Sequence, residues 1–321
     1  MSIAAKDIIM ASWRSGTSKQ YQSYLSRWQE YCIENQLDPF EATVENGIEF
    51  LNSLFNKGLG YSAINTARSA LSTVITVPNY ATFGTHPLVT RFLKGVFEMK
   101  PSLPRYAVVW DIGIVLQHLK TMGPVLDLKL RTLTLKLTML LCLLTCQRCQ
   151  TITKLDTQSM QILPDRYIFT IREVLKTSKP GRHMEPLELV AYKPEENLCV
   201  VAHIKRYLEI TESFRKHHIM LLISHVKPHG PVSTNTIGRW TKTIMKDAGI
   251  DVTKFTSHSS RAASTSYGKS SGLTLQEILK AGGWSNGLTF AKYYNKPIAR
   301  NFGSTILEQF ENQSEQLAVT D

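Results

Sequence analysis

The sequence predicts a mainly helical protein of two domains, the second of which adds a small antiparallel β-sheet (α+β). Apolar residues recur at helical spacing through the first hundred residues, and strand-like segments are confined to residues 158–190. At 321 residues the chain is longer than one average domain. The segment KPSLP at 100–104 interrupts the helical pattern with two prolines, so we place the domain boundary between 1–103 and 104–321.

The first domain is predicted to consist of four helices. In the first of them Tyr21, Leu25, Trp28 and Cys32 fall on one apolar stripe, and Ser18 is the expected N-cap. Proline and glycine residues separate the apolar segments that follow. The four predicted helices are 18–35, 43–57, 62–75 and 87–99.

The second domain mixes helices with short strands. The segment 126–144 is apolar nearly all round, which predicts a central core helix. Strands are predicted at 158–163, 167–171 and 186–190. The other predicted helices are 111–122, 197–214, 234–248, 257–269, 274–281 and 288–294.

Composition indicates a polyanionic partner. The formal net charge is +11 with a pI near 9.4, and residues 104–321 carry almost all of the excess. Five unevenly spaced cysteines are typical of a reducing compartment. Cys146 and Cys149 form a C-x-x-C without a second Cys or His pair, so we expect no metal there. The longest apolar stretch is too short for a bilayer, and we expect a soluble, intracellular protein with no membrane partner.

The segment 254–297 concentrates side chains that could bind a phosphate. His258 and Arg261 stand at i and i+3 early in a predicted helix and share one face. A Gly-Gly-Trp turn ending at Trp284 and the pair Tyr293 and Tyr294 follow. A cation, an imidazole, an indole N–H and a phenol could thus surround one phosphate.

Upstream residues could complete such a site. Arg148 emerges directly from the apolar helix, where a guanidinium needs an anion, either a ligand or a core carboxylate. The basic segment 175–183 lies between two predicted strands, and its turn at Pro180-Gly181 indicates a hairpin tip that is either solvated or placed against DNA. The predicted helix 234–248 also has a basic face, which is either exposed to solvent or in contact with the DNA backbone.

This order of residues resembles the tyrosine recombinase (phage integrase) family, whose catalytic set runs Arg, Lys, His-x-x-Arg, His or Trp, Tyr. The resemblance covers nearly the whole chain: residues 1–103 are similar to the family's SAM-like core-binding domain and 105–297 to its catalytic domain. The phrases GGWSNGLTFAKYYNKP, HPLVTRFLKGVF and PSLPRY are most similar to recombinases of DIRS-type and Crypton-type eukaryotic mobile elements. That similarity implies a nuclear location.

The resemblance implies roles for individual residues. The lysine of the family's catalytic set lies on a β-hairpin. The resemblance assigns that position to Lys176, with Lys179 as the alternative. A Trp-to-Tyr spacing of nine favours Tyr293 as the nucleophile, whereas the pattern F-x-x-aromatic-Tyr favours Tyr294, which we prefer. Thr151 departs from the family pattern, because Glu or Asp is usual three residues after the first arginine. The predicted catalytic residues are Arg148, Lys176, His258, Arg261, Trp284 and Tyr294. The predicted DNA-binding residues are Lys179, Arg182, Arg239, Lys242 and Lys246.

The implied activity is site-specific recombination or integration of DNA through a 3′-phosphotyrosyl intermediate, without a metal or cofactor. The implied assembly is a tetramer on double-stranded DNA, with residues 304–313 as a helix that docks on a neighbouring subunit or packs on its own domain. Two other functions stay open. One is a domesticated derivative that binds specific DNA but no longer cuts, and the other is a type IB topoisomerase.

Overall fold

The computed structural model describes residues 2, 4, 5, 8, 11–102, 106–176, 178–181 and 183–299. In this part of the chain helices dominate and three short strands form one antiparallel sheet, so the predicted fold class is confirmed. The chain divides into two compact units, Met1–Pro104 and Arg105–Asp321. None of the described helices is long and apolar enough to cross a membrane.

The first unit has its own apolar core. Trp28 lies at the centre of it, with its ring against Phe50 at 5.3 Å and its indole N–H donating to the carbonyl oxygen of Pro39 at 3.2 Å. Each helix buries one stripe, as the spacing of apolar residues predicts. The described helices of this unit are α1 (Ser15–Glu34), α2 (Val44–Asn56), α3 (Tyr61–Leu71) and α4 (Pro87–Met99).

Helix α1 begins earlier than expected, and the prediction of Ser18 as its N-cap is wrong. The amide of Ser18 already donates to the carbonyl oxygen of Arg14 at 2.9 Å, within the helical ladder. Arg14 takes the cap position without a side-chain cap bond. Ser15, Gly16 and Thr17 are weak helix formers, but they fall in the first turn of a long helix, which therefore begins three residues before the predicted range.

The second unit surrounds one buried helix. Its described helices are α5 (Ile112–Thr121), α6 (Leu130–Thr145), α7 (Cys149–Ile152), α8 (Val200–Arg215), α9 (Thr234–Asp247), α10 (Ser259–Ser270), α11 (Leu275–Gly282) and α12 (Gly287–Tyr293). Helix α6 packs against α8, α9 and α10, and it is buried on nearly all sides, as its composition predicts. Even Lys136 is fully buried, with its ammonium group donating to the carbonyl oxygen of Gly123 at 3.2 Å.

The sheet follows α7 and positions the basic hairpin. Strand β1 (Met160–Ile162) pairs antiparallel with β2 (Arg166–Phe169), which pairs antiparallel with β3 (Leu187–Val190). Alternate residues of β3 are buried against the core. The connection between β2 and β3 contains Lys176.

Candidate active site

Helix α10 supplies a histidine and an arginine at its beginning. His258 stands in the cap position and Arg261 follows within the first turn. Arg261 is only 1% exposed, and one guanidinium nitrogen donates to the carbonyl oxygen of Gly282. Its Nε and Nη1 have no hydrogen-bond partner among the described residues. A buried guanidinium with two unused N–H donors is suited to bind an anion, because a buried charge without a partner destabilises the folded protein.

The turn after α11 brings Trp284 onto this guanidinium. Gly283 has φ +62, a left-handed conformation that glycine adopts without strain. A Cβ at Gly282 would lie 2.2 Å from the Trp284 ring, so the two glycines let the indole fold back tightly. The centre of the Arg261 guanidinium lies 4.2 Å from the centre of the indole ring, a cation–π contact. The indole N–H is buried and has no partner in the described part of the chain.

The two adjacent tyrosines have different surroundings. The phenol oxygen of Tyr294 lies 3.1 Å from Nε2 of His258, and its ring centre lies 4.5 Å from that of Trp284. The centre of the Arg261 guanidinium is 5.3 Å from the Tyr294 ring. Tyr293, the last residue of α12, is 57% exposed and stands against Lys292. The structure therefore groups Tyr294, not Tyr293, with the other candidate residues.

A cavity of about 830 Å³ opens in front of His258 and Tyr294. Its described lining residues include four lysines and arginines but no carboxylate, so it offers a place for an anion. Arg261 and Trp284 pack against the Tyr294 ring and are not among the residues that line this cavity. Its lining is Arg148, Cys149, Gln150, Lys176, Thr234, Asn235, Gly238, Arg239, Lys242, Ser257, His258 and Tyr294.

Arg148 reaches the cavity because α6 ends abruptly. Cys146 adopts a left-handed φ of +52 at the end of the helix, and the buried Gln147 then donates to the carbonyl oxygen of Ala281 at 2.6 Å. Arg148 follows as the cap of α7. Among the described residues, no side chain accepts a hydrogen bond from its guanidinium, and the buried Thr151 cannot replace the acidic partner that the family pattern leads one to expect.

The predicted basic residues divide into two groups. Lys176, Arg239 and Lys242 line the cavity. Lys179 and Lys246 are exposed and lie outside its lining, and Arg182 lies outside the described residues. Sequence reasoning missed the uncharged cavity residues Gln150, Thr234, Asn235 and Ser257, because no charge or motif distinguishes them from ordinary surface residues. In the described part of the chain no cluster of three or more His, Cys, Asp or Glu side chains is arranged to hold a metal ion.

Nearby protein atoms and positive charges lower the pKa of both central residues, although His258 is exposed at the surface and only Arg261 is fully buried. The protein atoms packed around His258 lower the pKa of its imidazole below the usual 6.5, and the charge of Arg261 lowers it further. Arg148 and Lys176 act in the same direction. Burial, followed by the charge of Arg148, lowers the pKa of Arg261 to about 10. A lowered pKa keeps His258 neutral near pH 7, so that it can accept a proton from the nearby phenol.

We expect the neutral His258 to be observable in the free protein. In an NMR titration its ring protons should show a pKa below 6.5, and Arg148→Gln should raise that pKa because one repelling charge is removed. Arg166→Gln is the control, since Arg166 is paired with Asp165 and Glu188 on the sheet. An unchanged His258 pKa in Arg148→Gln would contradict the proximity of the two groups.

Comparison with known proteins agrees with this architecture. The model of the phage integrase family matches residues 116–299. That match covers more than half of the sequence, so the chain belongs to the phage integrase family, the family of the tyrosine recombinases that cleave and rejoin DNA strands. A search of curated proteins found no match.

Solved structures of recombinases share the fold at low sequence identity. XerH site-specific recombinase bound to difH substrate in a pre-cleavage complex is 13% identical, with a TM-score of 0.59 over 91% of this chain and 78% of that chain. The Tn1549 transposon integrase in complex with transposon right end DNA is 13% identical, with a TM-score of 0.57 over 97% and 98%. Lambda integrase bound to DNA is 14% identical, with a TM-score of 0.54 over 93% and 94%.

Proposed function

We propose that this chain cuts and rejoins double-stranded DNA through a covalent bond between Tyr294 and a 3′-phosphate. The observation that carries the proposal is the 3.1 Å contact between the Tyr294 phenol and His258 at the edge of a cavity with four cationic side chains and no described carboxylate. Such a cavity suits a phosphodiester, and a phenol beside a neutral imidazole is suited to attack it.

The proposed first step is attack by the Tyr294 oxygen on the scissile phosphorus. The phenol proton passes to His258, the bond from phosphorus to the 5′-oxygen breaks, and Lys176 donates a proton to that oxygen. Negative charge on the non-bridging oxygens is stabilised by Arg148 and Arg261. Rejoining is the reverse reaction, in which a 5′-hydroxyl attacks and the phenol leaves. The phosphotyrosyl bond retains the energy of the phosphodiester, so no external energy source is needed.

Arg261 and Trp284 can enter this chemistry only if the phenol moves. The Tyr294 ring packs against both side chains, and their unpaired N–H groups are buried. When a phosphate occupies the cavity, a small rotation of the phenol would expose these donors to the non-bridging oxygens. Lys176 rather than Lys179 is assigned the proton transfer because it lines the cavity.

The proposed partner is duplex DNA, bound by a tetramer of this chain. Lambda integrase with the same fold has been solved as a dimer bound to a COC′ core site and as a tetramer bound to a Holliday junction. Here the excess charge of the second unit and the cavity residues Arg239 and Lys242 support contact with the phosphate backbone. The four-helix first unit is proposed to be the SAM-like core-binding domain. The predicted docking helix 304–313 lies outside the described residues.

The proposed biological role is recombination or integration of a eukaryotic mobile element in the nucleus, on the basis of the similarity to DIRS-type and Crypton-type enzymes. The domesticated, non-cutting derivative is the second candidate, favoured by Thr151 where the family usually has an acid. Against it, each position expected to contact the phosphate holds a side chain able to do so.

A covalent-adduct assay tests the proposal. The Tyr294→Phe protein first selects duplexes from a random-sequence DNA library, and the selected duplexes are then nicked so that cleavage becomes irreversible. Wild-type protein should form an adduct with these duplexes that survives denaturation. Tight and selective binding without any adduct would instead identify the domesticated derivative. Relaxation of supercoiled DNA without site preference would identify a topoisomerase.

A further inference from the structure

The backbone after the candidate nucleophile is held by a hydroxyl group that the chemistry above does not use. We call residues 294–299 the tyrosine strap. Ser266 on α10 donates from Oγ to the carbonyl oxygen of Tyr294 at 2.7 Å and accepts from the amide of Lys296 at 3.1 Å. Ser266 is only 4% exposed. One buried hydroxyl therefore binds the strap at Tyr294 and again two residues later.

The strap also pairs with the beginning of the second unit. The amide of Val109 donates to the carbonyl oxygen of Pro297 at 2.8 Å, and the amide of Ala299 donates to the carbonyl oxygen of Val109 at 2.6 Å. The ammonium group of Lys296 donates to the carbonyl oxygen of Tyr106 at 2.9 Å. These bonds hold the strap along its whole length.

The segment that pairs with the strap also makes a hydrogen bond to α10. Trp110 is 3% exposed, and its indole N–H donates to Oγ of Ser259 at 2.8 Å. Ser259 directly follows His258, and Ser266 lies two turns further along the same helix. The backbones of His258 and Tyr294 are thus joined through one continuous set of hydrogen bonds, of which the Trp110–Ser259 bond is buried and those of Ser266 are partly buried.

We propose that Ser266 is a positioning residue: by holding the backbone at Tyr294, it sets the distance between the Tyr294 phenol oxygen and the scissile phosphate. This rests on the proposed function. Tyr294 lies just beyond α12, where its amide and that of Asn295 both donate to the carbonyl oxygen of Phe290. Its own carbonyl continues no helical ladder, so Ser266 holds the backbone there instead. The phenol oxygen lies at the far end of the side chain. A small rotation of the backbone at the Tyr294 carbonyl therefore displaces the phenol oxygen further than it displaces the carbonyl itself.

Ser266→Ala is the test, with Ser270→Ala as the matched control. Ser270 lies at the exposed end of α10, and among the described residues its hydroxyl donates only to the carbonyl oxygen of Tyr267 in its own helix. In single-turnover assays on nicked duplexes, Ser266→Ala should lower the cleavage rate about tenfold or more, because misplacing a reacting atom is costly. Rejoining should slow by the same factor, while the dissociation constant for DNA stays that of wild type. Ser270→Ala should match wild type in all three measurements.

A substrate with a sulfur atom at the scissile 5′-position separates positioning from proton donation. A thiolate leaves without a proton, so this substrate should relieve the defect of Lys176→Ala. The defect of Ser266→Ala should persist on it, because the attacking phenol remains misplaced. Relief of both defects would overturn the proposal.

A second variant guards against a folding defect. Lys296→Met removes the bond to Tyr106 without altering buried α10, and it should produce a smaller loss with the same pattern. A wild-type cleavage rate in Ser266→Ala would overturn the positioning role, whatever the rate of Lys296→Met. So would a loss in Ser266→Ala that matches a fall in melting temperature and DNA affinity. If wild-type protein forms no adduct, the proposed function itself fails; an adduct that Ser266→Ala forms at the wild-type rate overturns the positioning role alone.

Discussion

Tyr294→Phe is expected to abolish the covalent protein–DNA adduct, whereas Tyr293→Phe keeps most of it. Removing one oxygen from Tyr294 eliminates the attacking atom but leaves the ring that packs 4.5 Å from Trp284. Tyr293 is exposed and has no contact with His258 or with the cavity. The measurement is adduct yield on the nicked, selected duplex, with DNA affinity determined in parallel.

The two variants control for each other, because each removes a phenol oxygen from a neighbouring position. Both proteins should bind DNA like wild type, since neither substitution removes a cation. Adduct formed by Tyr294→Phe but lost in Tyr293→Phe would reverse the assignment. Adduct formed by both would mean that neither tyrosine is the nucleophile.

Arg148→Gln is expected to lower the cleavage rate by about 10²- to 10³-fold, the usual effect of removing one prepared donor to a developing negative charge. The guanidinium lines the cavity and has no hydrogen-bond partner among the described residues, so its removal should leave the free protein folded. Glutamine retains a donor but loses the charge and the fork of N–H groups that can bind two oxygens at once. The rate is measured in single turnover with saturating protein.

Arg166→Gln serves as the control for this substitution. It removes an equal charge from the same unit, but Arg166 is already paired with Asp165 and Glu188 on the sheet. Its cleavage rate should stay within about twofold of wild type, as for a surface ion pair of small net effect. Equal losses in the two variants would indicate a general effect of charge on DNA binding rather than a specific role of Arg148.

A feature of this fold could be predicted from the sequence when the residues that determine it are close together along the chain. Helix α6 could be predicted because its composition is apolar on all faces, which only a central helix tolerates. The Gly282-Gly283-Trp284 turn also carries a local signal, because only glycines allow the indole to fold back. The start of α1 was misplaced because a polar segment can continue a helix as readily as cap it. Family membership rested on the order of residues along the chain, and the family comparison confirms it.

The choice between the two tyrosines needed the tertiary structure. Adjacent residues on a helix point about 100° apart, but the spacing of residues does not say which one faces inward. The contact with His258 and the packing against Trp284 distinguish Tyr294. The same holds for Lys176 and Lys179, two lysines of one hairpin of which only Lys176 lines the cavity.

By itself the sequence determined the fold class, the family and the types of residue available for chemistry, because these follow from local patterns and from order along the chain. Only the tertiary structure decided which side chains meet. Ser266 is indistinguishable from the other serines of α10 until the strap is seen to fold against it. The cavity likewise combines Arg148, Lys176 and His258 from three separate segments. Long-range packing brings them together, and no local pattern encodes those distances.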